Sequence, residues 1–440
     1  MTKCNDKNEQ RRHNTGLAKV AVQCSADRFV VHQSFGSPHQ HLWWKSPPSP
    51  SPKPLTAILP QKTAKKKLKK RILLLISFFA CINLYSQNTY VFFGSFNRDK
   101  TTEGIYVYQL DTISGKLSKI TTVKGFLNPS FLTLSPNGKH LFACTESKTP
   151  NAGSVSSFEF NPENKTLTFI NSQKSGGENP VYVTVHKNGK WLINGNYTEG
   201  SVSVYSISEN GTINPFTQNF QFSEGSINQE RQNRSHIHST VFSPNFDYVY
   251  LPDLGADKIR CYKFENEKSE PLQIAEKPFT KTTLGSGPRH FTFHPNGKFA
   301  YCVEELTGTV NAYKYENGKL DSIQRINTHS EKYKEDFESS DIHISPDGRY
   351  LYASNRGEEN NIAIFAIQND GKLKVVGYQS TLGEHPRVFA IDETGKFLIA
   401  TNSVSGNVFV FKRNVETGLL KKIGKELKIK SVSCVQIKKY

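Results

Sequence analysis

Four short stretches of the chain carry imidazoles and guanidiniums, two of them with a carboxylate alongside. His236 and His238 lie in RSHIHST, Arg289 and His290 in GPRHFTF, Asp341 and His343 in SSDIHIS, and Arg387 in EHPRVFA. A second group closes apolar runs: Glu146, Asn194, Asp253, the pair Glu304 and Glu305, and Arg356 in SNRG. An unperturbed imidazole titrates near neutrality and can draw a proton from water. A guanidinium stays charged, so it can stabilise an oxyanion or clamp a carboxylate or phosphate bidentately. A carboxylate beside them can assist the base or act as general acid. The set suits attack of an activated water on a carbonyl in an anionic substrate.

Other chemistries find less in the sequence. His236-x-His238 puts two imidazoles on one strand face, and Asp253 or Glu305 could complete a metal site. The motif is short, and neither HExxH nor an EF-hand loop accompanies it, so no metal or other cofactor is assigned. A GxSxG elbow is absent, which leaves a serine hydrolase without its nucleophile. GSGPR (Gly285–Arg289) opens a strand and is no dinucleotide fingerprint.

The elements that must position these residues come from a repeat. The phrase recurs as SPNGKHLF (Ser135–Phe142), HKNGKWLI (His186–Ile193), SPNFDYVY (Ser243–Tyr250), HPNGKFAY (His294–Tyr301), SPDGRYLY (Ser345–Tyr352) and DETGKFLI (Asp392–Ile399). Start-to-start spacings are 51, 57, 51, 51 and 47. Each phrase reads as a tight turn, with Pro, Asn or Asp and Gly in place, leading into an apolar strand. In SPNFDYVY, Phe246 takes the glycine position. Around each phrase the order is constant. One strand precedes it, such as PSFLTL (Pro129–Leu134), and a second follows. A third alternates apolar and polar, such as SVSVYSI (Ser201–Ile207), and a fourth comes after another turn. Four strands per ~50 residues is the arithmetic of a β-propeller blade.

The two ends complete each other. YVFFGSF (Tyr90–Phe96), GIYVYQL (Gly104–Leu110) and LSKITTV (Leu117–Val123) supply strands two to four of a blade, and SVSCVQI (Ser431–Ile437) supplies its strand one. Six whole blades and one shared blade make an all-β, seven-bladed propeller over residues 87–440, closed by the C-terminal strand. Closure removes the sheet edges that invite aggregation. Strands one and two are antiparallel, so the start of the first and the end of the second share a rim. The residues named above all occupy those two positions, and they are expected to line one mouth. Bulky cations at matching phases in a narrow space need partners there.

The rest of the chain reads differently. The protein carries 56 Lys+Arg against 39 Asp+Glu, but residues 1–71 alone hold 15 and 3. The body is nearly balanced and lacks basic patches interleaved with aromatics, so a nucleic-acid partner is not expected. Residues 1–64 contain a Pro/Ser run, LWWKSPPSPSPKP (Leu42–Pro54). They read as a disordered basic extension, or as a stretch ahead of the true start. Residues 65–86 read as a secretory signal: KKKLKKR, then ILLLISFFACINLY (Ile72–Tyr85), then Ser86. The apolar run is short for a membrane span, although an uncleaved anchor is an alternative. The expectation is a periplasmic or secreted protein, with a cytoplasmic location if the leader is inactive. Cys4, Cys24 and Cys81 fall in the leader. Cys144, Cys261, Cys302 and Cys434 remain, without a CxxC, as buried fillers or as one or two disulfides.

The body resembles the seven-bladed lactonase family, which includes the propeller-type bacterial 6-phosphogluconolactonases and the fungal 3-carboxymuconate lactonising enzymes. The resemblance rests on the order and spacing of YVFFGSF, NPSFLTLSPNGKHLF, HIHSTVFSPNFDYVYLPDLGADKIRCYKF, GSGPRHFTFHPNGKFAYCVEELTGTV, SSDIHISPDGRYLYASNRGEENNIAIFAI and HPRVFAIDETGKFLIATNSVSGNVFVF. It implies a central cleft for a small anionic sugar lactone or related acid. It implies catalytic roles for His238, Arg289, Arg356 and Glu305, the last with Glu304 beside it. His236, His290, His343, Asp253, Glu146 and Asn194 are read as substrate-binding, as is Arg387, an extra cation that phosphate recognition would favour. An export signal sits awkwardly with an intracellular metabolite such as 6-phosphogluconolactone. A muconate-type cycloisomerase and a non-catalytic binding propeller are the competing readings.

Overall fold

The computed structural model describes residues 48–49, 88–334 and 336–440. The expected extension and signal lie almost wholly outside the described residues, as do the three leader cysteines. Among the described residues there is no helix, and the strands form seven four-stranded antiparallel sheets.

Blade one joins the two ends of the chain. Its order is β28 (Val432–Lys439), β1 (Thr89–Ser95), β2 (Ile105–Leu110) and β3 (Leu117–Val123). Residues from Thr89 opposite Lys439 to Ser95 opposite Val432 zip the termini together. The other blades are continuous in sequence. Blade two runs from β4 (Phe131–Leu134) to β7 (Thr166–Lys174), and blade three from β8 (Pro180–Val185) to β11 (Ile213–Gln221). Blade four runs from β12 (Val241–Phe242) to β15 (Leu272–Lys281), and blade five from β16 (Pro288–Phe293) to β19 (Lys319–Asn327). Blade six runs from β20 (Ser339–Ile344) to β23 (Leu373–Ser380), and blade seven from β24 (Pro386–Ile391) to β27 (Leu420–Lys428).

Packing follows from the sequence pattern. Second strands such as TYVFFGS are buried at every residue, because a neighbouring blade covers each face. Fourth strands such as TLTFINSQK alternate exposed and half-buried residues at the outer edge. Side chains staple blade to blade at repeated places. The Tyr301 hydroxyl donates to the Gly371 carbonyl at 2.8 Å and that of Tyr352 to the Gly418 carbonyl at 2.7 Å. Each link crosses from one blade into the next. Burial of such aromatics in every interface is the main source of stability.

The turn phrases behave as the sequence requires. Gly138 has φ of 74°, a left-handed value that costs a side chain dearly. Phe246, in the degenerate phrase, is also left-handed at 64°. Its ring stacks on Phe242 at 5.3 Å and meets His186 edge-on at 5.2 Å, contacts that offset the backbone strain. Cys144, Cys261, Cys302 and Cys434 are all buried free thiols, so the disulfide alternative is not realised.

Candidate active site

Two local features deliver functional side chains to one face. The first is a β-bulge at the start of inner strands. Register shifts lie between Pro288 and His290, between Ser339 and Ile342, and between Pro386 and Val388. A bulge leaves a residue out of the ladder and re-aims its side chain. The residues so released are Arg289, the pair Ser340 and Asp341, and Arg387. Proline at the first position has no N–H to lose there. Serines then fix the released backbone. Ser239 Oγ donates to the Arg289 carbonyl at 2.9 Å, and Ser340 Oγ to the Arg387 carbonyl at 2.6 Å.

The second feature is the residue just beyond strand two. Tyr197 follows the strand ending at Asn196, Glu305 follows Glu304, and Arg356 follows Asn355. Blade four departs from the pattern, and from the strand expected for RSHIHST. Its first strand shrinks to Val241–Phe242, with only a bridge between Ile237 and Asp253. Pro252 lies opposite and has no N–H to donate, so the ladder breaks. The His238 N–H still donates to the Pro252 carbonyl at 3.0 Å. The released segment carries both histidines against Tyr197, with His236 stacked on its ring at 4.4 Å and His238 edge-on at 5.4 Å.

Glu305 is the hub. It accepts from Arg289 Nε at 2.7 Å, lies 3.0 Å from Arg356 Nη2, and also pairs with Arg231. Burial alone would raise its pKa. The charges of Arg356, Arg289 and Arg231 outweigh that and hold it far below the usual carboxylate range. A carboxylate so held has no proton to give, which corrects the general-acid role considered for it. Glu304 turns away into its own blade, onto Arg325 Nε and the Thr309 hydroxyl, both at 2.6 Å.

Asp341 holds two of the imidazoles. His290 Nδ1 bonds Asp341 Oδ1 at 2.7 Å, and His343 Nε2 bonds Asp341 Oδ2 at 2.9 Å. Burial, with Arg289 next, lowers His290 to about 4 despite that carboxylate. For His343 burial is outweighed by Asp341, and its pKa rises. His238 packs against His290 with ring centroids 5.2 Å apart. Burial, then Arg289, His290 and Arg387, hold its pKa well below 6.5, so it is neutral at pH 7. Two polar atoms at this centre are buried without a partner: His238 Nδ1 and Arg289 Nη2. Beside the centre a cavity of about 570 Å³ opens between blades seven, one and two, with Arg387 and His385 in its wall.

Three expected site residues lie elsewhere. Asp253 is a strut: it accepts from the His236 N–H at 2.8 Å and from Arg260 Nε at 2.9 Å. Asn194 is fully buried inside blade three, bonded to Asn196 and to the Tyr205 hydroxyl at 2.9 Å. Glu146 bonds Ser154 and lines a separate depression between blades two and three. The candidate third metal ligands are therefore engaged by arginines. Among the described residues, no three His, Cys, Asp or Glu side chains converge as a metal site.

Residues 90–437 match the family described as "Lactonase, 7-bladed beta-propeller". The chain belongs to the seven-bladed lactonase family. A 6-phosphogluconolactonase of Formosa agariphila is 42% identical over 352 residues, covering 80% of this chain and 99% of the relative. The 6-phosphogluconolactonase of Bacillus subtilis is 32% identical over 339 residues, 76% of this chain and 94% of the relative. Among solved structures, a periplasmic gluconolactonase of Pseudomonas aeruginosa superposes with a TM-score of 0.74 at 32% identity, covering 80% of this chain and 98% of that one.

Sequence reading missed three groups in this propeller lactonase. Tyr197 sits one residue past strand two, in the phase of Glu305 and Arg356, whereas Asn194 lies three residues earlier, within the strand. Arg231 lies in the excursion between β11 and β12, which the 57-residue spacing flagged without saying what the extra residues do. His385 precedes β24 and bonds Arg356 Nη1 at 3.2 Å.

Proposed function

We propose that this lactonase hydrolyses the lactone of an anionic sugar acid, of the 6-phosphogluconolactone class that its relatives' names give. The observation that carries the chemistry is the pair of unpartnered buried atoms, His238 Nδ1 and Arg289 Nη2. A buried polar group left unpaired costs about 1–3 kcal/mol, more when charged, and a ligand that pairs with these two atoms would relieve that cost.

Neutral His238 takes a proton from water as the water oxygen bonds to the lactone carbonyl carbon. Arg289 stabilises the oxyanion that forms, and its charge is fixed in direction by Glu305 and by the Ser340 carbonyl at 2.7 Å. As the tetrahedral centre collapses, the ring C–O bond breaks and the imidazolium returns its proton to the leaving alkoxide. The product is a hydroxy acid whose new carboxylate meets the arginine cluster. Arg231 reaches Glu305 from the excursion and is 38% exposed, the most solvent-facing of the three guanidiniums on that carboxylate.

The test is a pH-stat assay on the body of the protein with glucono-, 6-phosphoglucono- and carboxymucono-lactones. Wild type is expected to release acid from a sugar lactone above the buffer rate, and His238→Gln to lose about 10²–10⁴-fold in kcat while keeping its Tm. Interconversion of ring form and diacid without hydrolysis would replace the reading with a cycloisomerase. Silence on all three with retained product binding would leave a binding propeller.

The cationic stretch and apolar run before residue 87 support a further reading, that the protein works outside the cytoplasm. The likeness to a periplasmic gluconolactonase fits it. Cell fractionation and N-terminal sequencing decide the point. An unprocessed cytoplasmic protein would end it.

A further inference from the structure

The His290 side chain reaches across the propeller. Its strand belongs to blade five, yet its imidazole meets Tyr182 of blade three edge-on at 5.3 Å and Phe131 of blade two at 6.3 Å. His238, on the segment that leads into blade four, packs on it at 5.2 Å. Asp341 Oδ1, from blade six, takes its Nδ1 at 2.7 Å. Contacts from four other blades hold the ring in one orientation.

Asp341 is itself fixed. It lies in the bulge of β20, and its N–H, left out of the ladder, donates to Ser354 Oγ at 3.0 Å. Each carboxylate oxygen accepts two bonds. Oδ1 takes His290 Nδ1 and the Ile342 N–H at 3.0 Å, and Oδ2 takes His343 Nε2 at 2.9 Å and the Phe389 N–H at 3.0 Å. Burial alone would raise its pKa. His343, and then the bond from His290, outweigh burial and hold it far below the usual carboxylate range. An ionised carboxylate only accepts, so the hydrogen of the 2.7 Å bond sits on His290 Nδ1. Burial, with Arg289 next, lowers His290 to about 4, so at pH 7 the ring is neutral and that hydrogen is its only one on nitrogen. Nε2 therefore carries a lone pair. Among the described residues Nε2 has no hydrogen-bond partner.

We propose that Asp341 is a positioning residue: it fixes His290 in the Nδ1–H form, so that His290 Nε2 and His238 together hold the attacking water. The assignment rests on the lactonase reading above and gives the water a second acceptor. The guanidiniums nearby only donate, and Glu305 is taken up by three of them, which leaves His290 Nε2 as a free acceptor beside His238. Two imidazoles 5.2 Å apart are close enough for one water to bond both. A water that gives one O–H to each has the direction of its lone pair set before it attacks. The proton facing His238 moves there as the oxygen bonds to the carbonyl carbon. The hydrogen facing His290 stays on that oxygen and becomes the proton of the new carboxyl group.

Nitrogen NMR of protein labelled in its histidine rings reads the tautomer without any turnover. Wild type at pH 7 is expected to show His290 with a protonated Nδ1 and a bare Nε2, its signals identified by their loss in His290→Gln. Asp341→Ala should bring in the Nε2–H form. The same variant should lose about 10²-fold in kcat with KM little changed, and added formate should restore part of the loss by taking the place of the carboxylate. A protonated Nε2 in wild type overturns the proposal, as does an unchanged kcat in Asp341→Ala. A loss that falls on KM alone, or that comes with a lowered Tm and no rescue by formate, makes Asp341 a structural strut and overturns it too. If the wild-type tautomer is as expected while the pH-stat assay is silent on every lactone, the Asp341–His290 pairing stands and the lactonase reading falls.

Discussion

At the scale of single residues, the site works by borrowing charge. His238 is a weak base in the free protein because burial, and then Arg289, His290 and Arg387, oppose its protonation. An anionic substrate cancels part of that opposition. The acid limb of kcat/KM, which reports the free enzyme, should therefore lie below pH 6.5, and the limb of kcat should lie higher. Coincident limbs in the two pH–rate profiles would contradict the coupling. Glu305 has the opposite problem, since three guanidiniums depend on it. Glu305→Gln leaves them without a buried counter-charge and should cost about 3–5 kcal/mol in denaturant unfolding. The pH dependence has a definite sign. His290, lowered to about 4, leaves the unfolded chain binding the extra proton between that value and 6.5, so stability falls as pH drops through the window. Glu305, also lowered, contributes stability above the ordinary glutamate value of 4.5 that is lost on further acidification. Urea titrations at stepped pH should show both losses, with the second absent in Glu305→Gln. These residues were readable because they break an apolar pattern at a fixed phase. Their partners were not. Nothing near Glu305 in sequence points to Arg231, 74 residues away, and nothing local marks Asp253 as already spent on Arg260.

At the scale of elements, the repeat carried most of the information. A turn that needs a left-handed residue, followed by an apolar run, locates strand two in six blades and strand one in five of them. What the pattern cannot encode is a register slip. The bulges that release Arg289 and Arg387 change no residue type that alternation counts, and only the leading prolines hint at them. The broken first strand of blade four is similar, because its cause is Pro252 in the partner strand. The degenerate turn offers a test of how strain and packing trade. Phe246→Ala keeps the left-handed backbone and loses the stacking, whereas Phe246→Gly loses the stacking but relieves the strain. The glycine variant should be the more stable of the two by about 1 kcal/mol in chemical unfolding. A reversed order would mean that the turn relaxes when its side chain goes.

At the scale of the whole molecule, the ring is held shut by eight residues at the end of the chain. Val432 to Lys439 pair with β1, the Ser433 hydroxyl reaches the Ser130 carbonyl of the next blade at 2.8 Å, and the Tyr440 hydroxyl reaches the Gly138 carbonyl at 2.7 Å. Removing residues 431–440 should leave blade one without its inner strand, and circular dichroism melts should broaden or vanish. Adding the missing segment as a peptide should recover a cooperative transition, which separates loss of closure from loss of solubility. The same seam also sets a clock. The wall of the cationic cavity draws on Phe96 and Lys148 from the first blades made and on Arg387 and Ser431 from the last. The cavity wall is therefore assembled only when β28 pairs with β1 and closes the ring.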